Sequence, residues 1–395
     1  MRLKPDTFAL TLLMGLMHAL GPISVDTYLA SLPFMAADLN VPGDLIQLTL
    51  SSYLVGFSLG QIFFGPISDK YGRKPVILFG LGLYFICSVV CAITSDVWVL
   101  IFARGFQAFA AASPIILSRA LVRDLYEGPR AAREMSILTS VSGLAPVVAP
   151  ILGGLLQSFF GWRSVFVTLA ASGLGLLVLV ALLLPETIRQ RQEGPLSFAS
   201  VFKSFGIIWA NKAFRANVGI QACGYTGLFC FISGSPFVLQ RIYGLSPLGF
   251  SLIFALSSMS FLAGTFVNRR LVPRFGVPRT IGIGAACLAG GGWLTALGIL
   301  IWPQSPFAFS IPTMFFFHGI GLILPLAVAS ALAPFPDRAG AASSLMGLLQ
   351  MISAALVISW IGTHIDTSAL PLGLTLAAVG SIALAIYWWT RPRDA

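Results

Sequence analysis

Runs of about 20 or more predominantly apolar residues alternate along this chain with short polar or charged breaks, the length a helix needs to cross a hydrocarbon layer. Twelve such runs are predicted, at 8–36, 44–66, 76–94, 97–121, 135–159, 163–184, 212–240, 247–268, 278–300, 305–332, 340–363 and 367–389. No soluble domain fits between them. The first run is longer than a signal-peptide core and has no small-residue cleavage pattern after it, so it reads as helix 1 of the mature chain. The predicted fold class is therefore an all-α integral membrane protein of twelve transmembrane helices.

The longest charged connection, with PETIRQRQEGP, falls between runs six and seven and divides the chain 6+6. That predicts an N-terminal six-helix half (1–184), a cytoplasmic linker (185–211) and a C-terminal six-helix half (212–395). The loop after run 2 reads GPISDKYGRKP (65–75) and the one after run 8 reads GTFVNRRLVPRFGVPR (264–279), each a basic turn with a glycine and a following proline. The second echoes the first. Parallel repeats of this kind characterise one transporter architecture, with substrate bound near the midplane.

Composition agrees: 57% of residues are hydrophobic and 10% charged, with a mean hydropathy of +0.89. The formal charge of +10 suggests nucleic acid at first sight, but the basic residues alternate with the loops. Of 24 Lys and Arg, Arg163 and Arg241 fall on one side and Arg104 inside a run, leaving 21 on the other side. Both termini are thereby predicted to be cytoplasmic, and no nucleic-acid partner is implied. The five cysteines lie within runs, where they read as small buried residues rather than disulfides or metal ligands. GFSLG at 56–60 matches the Gly-x-Ser-x-Gly nucleophile pattern but sits inside a run, where small residues four apart permit close helix contact. No phosphate-binding loop, dinucleotide fingerprint or His-Glu-x-x-His appears, so neither an enzyme nor a resident cofactor is expected.

Asp26 is the one acidic residue of 14 that this reading places deep in a run. A charge at the bilayer centre costs roughly 2.5–3.5 kcal/mol on insertion scales, so such a residue has a task or a partner. Arg104 lies at similar depth at about 1.5 Å per residue, and the expectation is that Asp26 binds a proton while Arg104, directly or through Gln107, modulates it. The alternative is a permanent ion pair holding two helices together. His18, eight residues before Asp26, is about 80° around the helix and could share its cavity as a proton relay, or simply be bonded in helix packing. His318 is similarly ambiguous, and His364 reads as solvated near an outer end.

At GPISDKYGRKP the sequence resembles the major facilitator superfamily, whose loop between helices 2 and 3 carries Gly-x-x-x-Asp-Arg-x-Gly-Arg-Arg/Lys. Gly65, Asp69, Gly72, Arg73 and Lys74 match it, with Lys70 for the first Arg. Arg104 and Gln107 resemble the Arg-x-x-Gln-Gly element of helix 4, with Ala108 for its glycine. Pro150, Gly153 and Gly154 resemble the antiporter signature Gly-Pro-x-x-Gly-Gly of helix 5, with Ala149 for the first glycine and Gly143 and Pro146 upstream. DTYLASLP at Asp26 resembles the Bcr/CflA group, the bicyclomycin and chloramphenicol resistance branch of drug:proton antiporters, as do GSPFVL (234–239) and ALAPFPDRAGAASSL.

Asp69 is expected at a helix N-terminus, and Arg73 on a carboxylate of a neighbouring helix end, which the resemblance implies is Asp124. Such a cluster is a bistable element closing the cytoplasmic side. Helix 5 is, by the same resemblance, the antiport helix. Candidates for a substrate cavity, by depth and type, are Tyr28, Gln47, Tyr53, Gln221, Tyr225, Phe229, Met259 and Phe317. The resemblance implies a monomeric, proton-coupled exporter of small amphipathic organic compounds or antibiotics in a bacterial inner membrane, working by alternating access. A metabolite exporter of the same fold and a passive facilitator are the alternatives.

Overall fold

The computed structural model describes residues 7–188, 198–335, 338–364 and 368–390. Of the basic residues used above for topology, Arg2, Lys4, Arg189, Arg191, Arg391 and Arg393 lie outside that set. Every described element is a helix. The chain divides into two compact units, Met1–Leu196 and Ser197–Ala395.

In the N-terminal unit, α1 (Phe8–Asp26) ends one residue before a break, passes through a 3-10 turn at Leu29–Ser31, and resumes as α2 (Leu32–Asp38). Pro33, in the first turn of α2, explains the break, since proline supplies no N–H to the Leu29 carbonyl four residues back and its ring crowds that carbonyl, which takes the Leu32 N–H instead. Next come α3 (Gly43–Tyr71), α4 (Arg73–Ile93), α5 (Val97–Leu125), α6 (Gly128–Phe160) and α7 (Trp162–Leu183). The pair α3/α4 turns on Gly72, at φ 103°, ψ 152°, a conformation open almost only to glycine. Within this unit α5 packs on α3, α4 and α1, while α6 packs on α1.

The C-terminal unit opens with α8 (Phe198–Ala210), followed by α9 (Lys212–Pro236), α10 (Pro247–Ile301), α11 (Pro306–Leu332), α12 (Ala339–Gly362) and α13 (Leu370–Thr390). Like α1, α9 changes pitch near its end, at Pro236, into a π-helical stretch Phe237–Ile242. The first membrane helix of each unit is thus interrupted at a proline.

Among the described residues eleven helical stretches are long and apolar enough to cross a membrane. One of them, α10, runs 55 residues through Gly276, whose φ of 74° and ψ of 167° break it between Pro273 and Pro278. Counting its two limbs separately gives twelve spans. Gly276 stands in the echo loop as Gly72 stands in the first, with the same positive φ. The expected segment 278–300 is the second limb.

Close helix contacts rest on glycines in both units. A Cβ at Gly56 or Gly60 would meet the backbone of α5 at Gly105 and Phe109, so the GFSLG pattern is a packing seam. In the C-terminal unit Gly264 and Gly321 do the same for α10 and α11, against His318 and Phe261 carbonyls. Ser58 Oγ donates back to the Val55 carbonyl at 2.8 Å.

Candidate functional site

Asp26 stands on the last turn of α1, at the break, and is only 4% exposed. Gly153 of α6 lies against it: a Cβ there would collide with the carbonyl group of Thr27, the next residue after Asp26. The glycine of the helix 5 pattern therefore sets how closely α6 approaches the interrupted part of α1. Pro150 and Gly154 are buried on the same helix, and Gly143 and Pro146 are half-buried one to two turns away.

The expected coupling of Asp26 to Arg104 is not made. Among the described residues no ion pair joins them. The guanidinium, wholly buried, lies over the rings of Tyr28 (4.2 Å to the centroid), Tyr53 (4.5 Å) and Phe166 (5.6 Å). It donates to Gln107 Oε1 at 2.5 Å and to the Ser24 carbonyl at 3.3 Å. Gln107 hands its amide to Ser88 Oγ at 2.6 Å, not to Asp26, so the indirect route is not made either. The reason is azimuth: depth along two helices fixes height but not the direction in which each side chain points. The network closes through Tyr84, whose hydroxyl bonds Ser24 Oγ at 2.6 Å.

His18 bridges α1 to α5. Its Nδ1 lies 3.0 Å from Ser118 Oγ and 3.2 Å from the Ile115 carbonyl, and its Nε2 lies 3.3 Å from the Arg119 guanidinium. With Arg119 donating, Nε2 accepts and Nδ1 carries the hydrogen, a neutral imidazole engaged on both nitrogens. That is the packing alternative. A second buried carboxylate was missed: Glu134, 7% exposed, accepts from Thr11 Oγ1 of α1 at 2.7 Å. Its neighbours Arg130 and Arg133 made the segment read as loop, whereas α6 begins at Gly128.

The basic turn forms a charge cluster. Arg73 donates from Nε to Asp124 Oδ2 at 2.9 Å, and from its terminal nitrogen to Ser68 Oγ at 2.6 Å and Asp69 Oδ1 at 2.5 Å. Asp124 is the partner that the resemblance implies. The expected place of Asp69 needs correction: it lies in the last turn of α3, four residues before Arg73, not at a helix N-terminus. The carboxylate at the start of α4 is Glu186, which accepts from the backbone N–H of Arg73 (3.0 Å) and of Lys74 (3.2 Å). Lys74 Nζ donates to the Ala181 carbonyl at 2.7 Å, and Thr187 Oγ1 to Asp124 Oδ2 at 3.1 Å. Gly65 has open space where a Cβ would stand. Glu186 was missed; the signal was an acidic residue, in the PET stretch, just after an apolar run.

The substrate candidates separate into three groups. Tyr28 and Tyr53 are walls of the Arg104 cage, and Gln47 is buried in α3. Gln221, Tyr225 and Phe229 share one side of α9 facing α12, with Tyr225 and Phe229 rings 4.8 Å apart. Gln221 donates to Gln350 Oε1 at 2.5 Å, Tyr225 to Met351 at 3.6 Å, and Thr226 to Ser353 at 3.0 Å. Gln350, Met351 and Ser353 were missed, although a glutamine inside an otherwise apolar run was the signal. The last two candidates stand apart from these groups. Met259 is 55% exposed in an apolar stripe of α10 with Leu252, Leu256 and Phe266. Phe317 packs edge-on to Phe231 at 4.8 Å inside the unit's core.

The family model described as Major Facilitator Superfamily matches residues 14–358. The chain belongs to the major facilitator superfamily. It is 31% identical to a bicyclomycin resistance protein homolog of Haemophilus influenzae, over 100% of this chain and 99% of that one. It is 32% identical to a chloramphenicol resistance protein of Pseudomonas aeruginosa, over 94% and 88%. Among solved structures, a nucleoside transporter aligns at TM-score 0.77 and 14% identity, over 97% of this chain and 99% of that chain, a likeness of fold. Membership makes the protein a multi-pass membrane transporter. The superfamily's loop signature falls on the Arg73 cluster, and Ala108 and Ala149, the departures from its helix 4 and helix 5 elements, are both buried, so their methyl groups are accommodated in the packing.

Proposed function

We propose that this transporter exports small amphipathic organic compounds, of the antibiotic kinds named for its relatives, in exchange for protons by alternating access. The observation that carries the reading is Asp26: a buried carboxyl group at an interrupted helix, with no ion-pair partner among the described residues, next in sequence to the Thr27 backbone on which Gly153 of α6 packs. A carboxylate without a partner is costly in apolar surroundings, and a bound proton removes the charge. Proton and substrate then alternate: substrate entry favours release of the proton, and rebinding of a proton favours release of the substrate. Arg104, held flat between tyrosines, fixes the neighbouring walls and the local field. The Arg73–Asp124–Asp69 cluster acts as the cytoplasmic switch, with Glu186 and Lys74 locking α4 to the end of α7. The protein works as a monomer in a bacterial inner membrane with both termini in the cytoplasm, a topology supported by the side on which 21 of 24 basic residues fall.

Proton release on ligand addition to purified protein in detergent tests this directly, wild type beside Asp26→Asn, with an amphenicol and a nucleoside as ligands. Release with the amphenicol that vanishes in Asp26→Asn is expected. Release with the nucleoside alone would make the protein a metabolite exporter. Ligand binding without release in either protein would make it a facilitator.

A further inference from the structure

Gln221, Tyr225 and Phe229, among the candidates for a substrate cavity, form with Gln350 a polar site in the C-terminal unit. Gln221 is 3% exposed, and its Oε1 is buried without a hydrogen-bond partner while its Nε2 donates to Gln350. A buried acceptor left unsatisfied is costly, and an N–H from a bound compound would satisfy it. The bond from Gln221 occupies Gln350 Oε1 and leaves the amide nitrogen of the half-buried Gln350 uncommitted. Together the two side chains offer one acceptor and one donor, the complement of a secondary carboxamide. One and two turns further along α9 stand the Tyr225 and Phe229 rings. This is not a lipid-facing surface, because from Ala216 to Leu239 no residue of α9 or its π-helical extension is exposed.

The surroundings also decide charge. From residue 197 onward the sequence has three acidic residues, Asp337, Asp366 and Asp394, none of them in a described helix. A cation at Gln221 would meet no carboxylate among the described residues of its own unit, whereas an uncharged amide would satisfy both glutamines.

We infer that Gln221 and Gln350 form a carboxamide-reading subsite that takes uncharged, amide-bearing aromatic compounds and discriminates against cations. This rests on the proposed exporter reading for its role in transport, but not for binding itself. The test is equilibrium binding to the full-length protein in detergent. The probes are N-(2-phenylethyl)acetamide, its N-methylated tertiary-amide analogue, and tetraphenylphosphonium. Gln221→Leu and Gln350→Leu are each expected to weaken the secondary amide roughly five- to tenfold, the weight of one hydrogen bond. Tetraphenylphosphonium binding stays unchanged, which also reports that the variants are folded. The tertiary amide is weaker on wild type but loses nothing further in Gln221→Leu. Absence of amide binding to wild type, equal affinity of the two amides, or parallel loss of the cation would overturn the subsite. Glutamine-dependent binding with no proton release from wild type would leave the subsite standing and remove the proton exchange.

Discussion

Arg104 holds a charge that cannot be neutralised by deprotonation, in a span, without a carboxylate on it. Its compensation comes from ring faces and neutral acceptors: Tyr28, Tyr53, Phe166, Gln107 and the Ser24 carbonyl. Desolvated cation–π contacts are worth about 2 kcal/mol or more, and they suit a flat guanidinium better than a compact ammonium. Arg104→Lys is therefore expected to lower the thermal midpoint and to cut transport by about tenfold or more, the equivalent of roughly 1.4 kcal/mol. Wild-type transport by Arg104→Lys would mean that a point charge suffices and the cage is incidental. The residues of this cage were legible individually, as an arginine and two tyrosines in apolar runs, but the cage was not. Sequence gives the height of each residue along its helix, and only packing gives which neighbour it faces. The same limit hid the Gln350 partner of Gln221.

At the scale of elements, apolar run length found the spans, and the errors lie at their polar ends. Helices α3, α6 and α10 continue past the expected boundaries into charged turns, because a helix leaving the hydrocarbon layer still satisfies its own backbone and needs no apolar residue to do so. The segment expected as linker holds α8, whose Phe205 and Ile208 pack with Phe214, Val218, Leu345 and Met346 in the C-terminal unit. Two glycines carry consequences that can be measured. Gly153→Ala places a methyl group in the Thr27 carbonyl. An overpacked contact costs about 1–3 kcal/mol, so α6 must move away from the break beside Asp26, and transport is expected to fall with ligand binding less affected. Gly72→Ala holds a residue at φ 103°, a strain of order 1–3 kcal/mol borne by the α3/α4 turn. Its effect is expected on the Arg73 cluster, as lower thermal stability in which Asp124→Asn adds little further loss, since both weaken one unit. Full additivity of the two changes would separate the turn from the cluster.

At the scale of the whole molecule, the coupling and the charge of the cargo together determine what drives transport. One proton moving down about 100 mV gains roughly 2.3 kcal/mol, and one pH unit adds about 1.4 kcal/mol. For one proton exchanged against an uncharged compound, each cycle moves one net charge, so potential and pH gradient both contribute and their sum sustains a gradient of several hundredfold. For a monovalent cation the exchange is electrically neutral, and only the pH difference remains. With Asp26 as the proton carrier and the Gln221–Gln350 pair as an uncharged reading head, the first case applies. In proteoliposomes, a potassium diffusion potential imposed at equal pH on both sides is expected to accelerate movement of an uncharged amide substrate. The same potential should leave movement unchanged in Asp26→Asn, where no proton is exchanged. Acceleration by the pH difference alone, with none from the potential, would show that the cargo carries a positive charge and that its counter-charge lies outside the C-terminal unit.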